Sequence, residues 1–255
     1  MSDSDKGASE QSQTPRHCGS HGHHGHFGHH QHGHHAHQHG AGNRADSNRN
    51  FFNENTDIYD NFPHAKERGK RTALAIADKV QLDKDSTTVL EFACGNGHVS
   101  REFLPFVKSL VGIDISDAAV KRFNDSFESE GLADKAKAFV TNIETDQSVI
   151  EGQTFDLVYC ASAFHHLDDP EGVTKILGSF LKPTGALVIV DVTLAEGADK
   201  LTVPEELKHI VLHAGFNKAD ISKMFEGAGL KLESYSLLSS DKGDKELFIA
   251  KGVRG

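Results

Sequence analysis

Between residues 87 and 190 the chain alternates short apolar runs with segments of helical period. That alternation limits the fold more than any other feature. Residues 87–93, 110–113, 136–140, 155–161 and 186–190 read as strands. Helical stretches lie at 99–107, from a Ser116 cap to 129, and at 171–181. Repeated strand–helix–strand units of this length make a parallel sheet with helices on both faces. A further helix over 63–81 precedes them, with Pro63 in its first turn and an apolar stripe of Ala73, Leu74, Ile76, Ala77 and Val80. The end of the chain differs. After a helix at 218–227, residues 230–238 and 246–250 are strand-like and separated only by the polar turn SSDKGDK. So short a connection forces an antiparallel pair. The expected fold is therefore α/β: a doubly wound sheet of seven strands that finishes in an antiparallel hairpin.

Residues 1 to about 50 do not share this pattern. They are dominated by His, Gly, Gln and Ser, and the stretch 17–39 holds 12 of the 18 histidines. Such a segment buries too little apolar area to offset the entropy of ordering, so it reads as a disordered tail ahead of a folded domain at 51–255. Its imidazoles, His21, His23, His24 and His26 among them, are ligands for zinc, nickel or copper. A solvated low-complexity tail or a tag are the plainer readings.

The chain carries 27 Lys and Arg against 37 Asp and Glu, and residues 1–50 hold four of each, so the whole surplus of acid lies in the folded part. With no basic stripe, that part is poorly suited to a phosphate backbone. No run approaches the roughly 20 apolar residues of a membrane span. The three cysteines form neither a disulfide framework nor a metal knuckle. With no secretory signal at the N-terminus, the expected compartment is the cytoplasm, with the nucleus left open.

Ligands of open α/β sheets bind at the carboxyl ends of the strands. The first strand runs into Glu91-Phe92-Ala93-Cys94-Gly95-Asn96-Gly97-His98, whose small residues let the backbone turn tightly against a ligand. The second ends at Asp114, 17 residues after Gly97, where a carboxylate can accept from two ribose hydroxyls. Helix capping is the alternative role for Asp114. The third ends at Thr141-Asn142-Ile143-Glu144, a polar edge for a base. In order, these three ends point to a nucleoside-containing ligand. Positions 93, 95, 97 and 100 hold Ala, Gly, Gly and Ser rather than the dinucleotide glycine pattern, and no phosphate-binding GxxxxGK loop exists. A ribose and base without phosphate fit best.

The segments VLEFACGNG, VGIDIS, FVTNIE, FDLVYCASAFHHL, LKPTGALVIVDV and FEGAGLKLESY resemble the ordered motifs of class I S-adenosylmethionine-dependent methyltransferases. FFNENTDIYDNFP and LHAGFNKADISKMFEGAGL are similar to segments of the small-molecule, ubiquinone/menaquinone-biosynthesis-like group. The resemblance covers residues 51–253. It implies a Rossmann-like fold, S-adenosylmethionine as cofactor, and methyl transfer to a small molecule. It also implies that Glu91, Ala93, Gly95 and Gly97 contact the methionine end, that Asp114 holds the ribose, and that Ile115 lies against the adenine. Asn142, Ile143 and Glu144 would frame the base, and Ala161 would line the pocket near the sulfonium. Ala93 stands where the family usually has Gly.

Methyl transfer from a sulfonium is an in-line displacement, and a base is needed only where the acceptor must lose a proton. His165 and His166 follow the fourth strand and titrate in the useful range. His166, which matches the family's usual His, is the preferred base of the two, and Tyr59, His213 and Asp191 are further candidates. Three alternatives lack their signatures: amino methylation of nucleic acid, arginine methylation, and a thiol-bound metalloid acceptor. A metal-responsive protein whose S-adenosylmethionine-binding domain is regulatory, or a protein methyltransferase, are the other readings.

Overall fold

A computed structural model describes residues 42–61, 64–194, 203, 205, 208–238 and 246–255. Seven strands form one sheet: β1 (Thr88–Phe92), β2 (Ser109–Asp114), β3 (Ala136–Val140), β4 (Phe155–Ala161), β5 (Leu181–Val192), β6 (Leu230–Leu238) and β7 (Leu247–Arg254). Their spatial order is β3-β2-β1-β4-β5-β7-β6. β1 to β5 pair in parallel, while β7 runs antiparallel to both β5 and β6. The expected closing hairpin is present, and its second strand lies inside the first. Strand order reverses between β1 and β4, which opens a crevice above their carboxyl ends.

Side chains alternate across the sheet as a doubly covered sheet requires. Leu90, Val158, Leu187 and Phe248 join one core with residues of α6 (Pro170–Ser179) and α7 (Lys218–Gly227). Val89, Leu157, Tyr159 and Val188 join the other, with residues of α3 (Ala65–Lys79), α4 (His98–Phe103) and α5 (Asp117–Ser129). Helix starts follow their capping chemistry. Ser116 Oγ accepts from Ala119 N, Asp169 from Gly172 N ahead of Pro170, and Asn217 with Asp220 forms a capping box.

Three boundaries differ from expectation. β5 begins at Leu181 rather than 186, because its register slips between Phe155↔Leu181 and Leu157↔Ala186 and leaves residues 182–185 as a bulge. A Cβ at Gly185 would sit 2.8 Å from Phe155 O, so only glycine fits the bend. β7 continues past 250 to Arg254, paired with β5 as far as Val253 and with β6 to its end. The third difference lies at the N-terminus. Two helices, α1 (Gly42–Glu54) and α2 (Asp57–Asn61), precede α3, so residues 42–50, within the stretch expected to be tail, are helical. Polar tethers hold α1: Arg49 Nε donates to Ile115 O at 3.1 Å, and Asn53 Oδ1 accepts from Ser116 Oγ at 2.8 Å and Ala118 N at 3.1 Å. The histidines proposed as metal ligands, His21, His23, His24 and His26, lie outside the described residues, as does Pro63. Among the described residues no helix is long and apolar enough to cross a membrane.

Candidate active site

The turn after β1 is built from left-handed backbone. Ala93 (φ 57°), Gly95 (φ 51°) and Gly97 (φ 80°) alternate with neighbours of negative φ and swing the chain into α4. Asp114 stitches this turn to the end of β2: its Oδ2 accepts from Gly95 N at 2.8 Å and its Oδ1 from Ser116 N at 2.9 Å. Ser116, not Asp114, is the helix cap. Burial pushes the Asp114 carboxyl above its ordinary range, and the backbone N–H donors of Ser116 and Gly95 oppose that shift.

Above the turn lies a cavity of about 840 Å³. Glu91, Ala93, Gly95, Asp114, Ile115, Asn142, Ile143, Glu144 and Ala161 all line it, as do His165 and His166. Nine of the ten positions assigned to cofactor thus converge on one wall system. The exception is Gly97, which is absent from the lining. A Cβ there would come within 2.7 Å of both Phe123 Cδ2 and Phe127 Cε2, so that glycine serves the packing of α5 under the turn. Helix α1 contributes Ala45, Phe51 and Phe52 to the lining, and the segment before α7 contributes Ile210, Val211 and His213. The side chain of Tyr59 lies outside the described residues.

Glu91 is almost wholly buried and accepts from Ser100 Oγ. Desolvation pushes its carboxyl up to about 8, partly opposed by the hydrogen bond from Ser100 Oγ. Glu91 is therefore largely protonated near neutrality. Tyr159, its register partner on β4, buries a hydroxyl that no acceptor reaches at hydrogen-bonding geometry. Cys94 and Cys160 are buried and free, with burial pushing both thiols well above their ordinary range. A Cβ at Gly112 would lie 2.8 Å from Cys94 Sγ, so Cys94 acts as packing.

The two adjacent histidines after β4 differ sharply. His166 is bonded through Nδ1 to Ile210 O at 2.8 Å and lies edge-on to Phe52. Desolvation, with the neighbouring His165 imidazole, pulls it down to about 4, so it is a neutral and feeble base. The preference for it rested on the match to the family's usual His, and this environment counts against it as a base. His165 Nδ1 lies 2.7 Å from Asp191 Oδ1, and Asp191 is fully buried near the end of β5. Burial raises the Asp191 carboxyl, but the His165 charge and hydrogen bond outweigh it and hold the group below its ordinary value. His213 donates from Nε2 to Leu167 O at 3.1 Å, which ties the roof to the loop after β4. No group of three or more metal-ligating side chains occurs among the described residues.

Asn96, Phe51 and Phe52 line the cavity without having been singled out by the sequence reading. Asn96 is buried, donates Nδ2 to Thr56 O at 3.0 Å, and leaves Oδ1 without a partner. Its place in the glycine-rich turn was a signal that could have found it. Phe51 and Phe52 were read only as part of a lead-in segment, since nothing local shows that they roof a cavity.

A family model described as a methyltransferase domain matches residues 59–235. The chain belongs to that methyltransferase family. Its domain is of the S-adenosylmethionine-dependent class. It is 33% identical over 156 residues to a methyltransferase of Schizosaccharomyces pombe, covering 58% of this chain and 54% of that protein. It is 28% identical to a sterol 24-C-methyltransferase of Aspergillus fumigatus (62% and 42% covered) and 26% identical to a ubiquinone biosynthesis O-methyltransferase of Xanthomonas axonopodis (61% and 67%). The methyltransferase domain thus spans about half the length of the first curated relatives it matches. Its fold is that of the Synechocystis magnesium protoporphyrin IX methyltransferase with bound S-adenosylhomocysteine: TM-score 0.64, 16% identity, with 83% of this chain and all of that one covered.

Proposed function

We propose that this protein transfers a methyl group from S-adenosylmethionine to a small-molecule acceptor inside the roofed cavity. The observation that carries the reading is Asp114, a buried carboxylate at the end of β2 that fixes the glycine-rich turn through Gly95 N. Carboxylate oxygens take about four hydrogen bonds between them, so two backbone donors leave room for ribose hydroxyls. Ile115 lies against the adenine, with Asn142, Ile143 and Glu144 framing its edge. Glu91, Ala93 and Gly95 face the methionine end, where the unpartnered Oδ1 of Asn96 accepts from the cofactor's ammonium. Ala161 leaves space beside the sulfur. When bound, the cofactor supplies a methyl on a sulfonium whose leaving group is a neutral thioether. The protein's contribution is alignment, which supplies up to roughly 10 kcal/mol of a barrier.

A small acceptor is supported by the cavity and by relatives named for sterol and ubiquinone-pathway acceptors. Free, buried Cys94 and Cys160 fit a reducing cytoplasm. The histidine-rich segment adds a transition-metal affinity, checked by zinc titration of the full chain. Titration calorimetry with S-adenosylmethionine tests the central reading. Asp114→Ala weakens binding at least about tenfold, a loss of about 1.4 kcal/mol or more, whereas His166→Ala spares it. Unchanged affinity in the first variant defeats the assignment.

A further inference from the structure

We infer that the acceptor is an apolar molecule presenting a weakly acidic hydroxyl, and that His165 takes the hydroxyl proton on Nε2 while Asp191 holds the ring. The inference rests on the methyl-transfer reading above and adds the acceptor's chemistry. His165 lines the cavity, and its Nδ1 meets Asp191 Oδ1 at 2.7 Å. That carboxylate is itself fixed, with Oδ2 accepting from Phe164 N at 2.8 Å and Oδ1 from Val192 N at 2.6 Å. An ionised carboxylate only accepts, so the hydrogen-bond network assigns the ring proton to Nδ1 and leaves the lone pair on Nε2. Of the three imidazoles in the lining near the loop after β4, only this one leans on a charge. His166 and His213 are bonded to the carbonyls of Ile210 and Leu167. A base held by an orienting carboxylate is the arrangement that proton abstraction uses.

The charge ledger selects the hydroxyl. As the acceptor oxygen forms its bond to the methyl carbon, the C–S bond breaks and its electron pair returns to sulfur. The hydroxyl proton passes to His165 Nε2. One positive charge leaves the sulfonium and one appears on the imidazolium, beside an Asp191 anion already buried there. A neutral amine attacks through its own lone pair and needs no base beforehand. An anionic acceptor such as a phosphate or a carboxylate would need cations, and Arg68 is the one Lys or Arg among the described lining residues. Phe51, Phe52, Leu167, Val192, Ile210 and Val211 supply apolar lining for the acceptor.

The test uses the full chain with deuteromethyl S-adenosylmethionine and three probes: para-nonylphenol, para-nonylaniline, and a nitro-substituted nonylphenol that is already ionised at neutral pH. Mass spectrometry is expected to find the label on the phenol oxygen. His165→Gln lowers kcat on nonylphenol by about 100-fold or more but on the nitrophenol by about threefold or less. Asp191→Asn, the positioning variant, shows the same split. A second readout needs no turnover. With S-adenosylhomocysteine bound, the nitrophenol held below its own pKa absorbs as phenolate in the parent protein and as neutral phenol in His165→Gln. Equal losses on both phenols reduce His165 to a structural role and overturn the proposal. Label on the aniline alone, or on no probe while calorimetry still shows cofactor binding, overturns the hydroxyl assignment and leaves methyl transfer standing. Failure to bind the cofactor strikes the methyl-transfer reading itself.

Discussion

Two buried aspartates stand at the same cavity, Asp114 in its lining and Asp191 behind His165, and they behave in opposite ways. Asp114 ends β2 and accepts from the backbone N–H groups of Gly95 and Ser116. Burial outweighs those neutral donors and its carboxyl is raised. Asp191 lies one residue from the end of β5, just as buried, yet its carboxyl is lowered because an imidazole faces it. Residue type and burial are therefore not enough to set a carboxylate's role. The partner decides: Asp114 keeps acceptor capacity for a ligand, whereas Asp191 is committed to orienting His165.

Exchanging either carboxylate for an amide breaks this contrast most sharply. Asp191→Asn is expected to lower kcat on a hydroxyl acceptor by about 100-fold or more, with cofactor affinity unchanged. Asp114→Asn should do the reverse, weakening the cofactor and sparing the chemistry once it is saturating. Chemical-denaturation midpoints against pH give an independent view. A lowered carboxylate lends stability that is present above its unfolded value and lost as pH falls through the folded one, so the Asp191 contribution fades on the acid side of about 3.8. A raised carboxylate has the opposite sign, so the Asp114 contribution declines as pH climbs from that value. The two variants must change the slope of stability with pH in opposite directions.

Gly97→Ala sharpens the comparison from beneath. It places a methyl into Phe123 and Phe127 at positive φ, and the two penalties together come to about 3 kcal/mol. Thermal melts check this. A loss confined to cofactor affinity would return Gly97 to the ligand wall.

What the sequence made visible divides along similar lines. The strand ends of β1, β2 and β3 were legible because each carries its chemistry in a run of four to eight residues, and all three reach the cavity. The roof was not. Helix α1 has little apolar face, and scattered long-range bonds at Arg49 and Asn53 hold it, together with Asn48 Nδ2 donating to His166 O at 3.3 Å. No periodicity reports such tethers, so composition assigned its first half to the tail. The choice between His165 and His166 was hidden for a related reason. Adjacent residues have near-identical local signals, and what separates them is Asp191, 26 positions beyond His165.

Glu91 offers a separate effect, confined to the neutral side of the pH scale. Its folded-state value of about 8 against 4.5 means the native state holds a proton that the unfolded chain has released. Stability from this group therefore falls as pH rises between those two values. Glu91→Gln should flatten that part of the denaturation profile, and a profile still sloping equally would show that the carboxyl ionises in the fold.

Ala93 gives the smallest change and the most delicate sign. A left-handed alanine costs about 1–2 kcal/mol relative to its right-handed form. Glycine at that position removes the strain but costs roughly 0.5–1 kcal/mol of extra unfolded-state entropy. The strain is the larger of the two, so Ala93→Gly is expected to raise stability by about 0.5 kcal/mol. Calorimetric melts resolve a shift of that size. A lower melting temperature would mean that the Ala93 methyl makes contacts worth more than the strain, and that alanine was kept at φ 57° for packing rather than tolerated there.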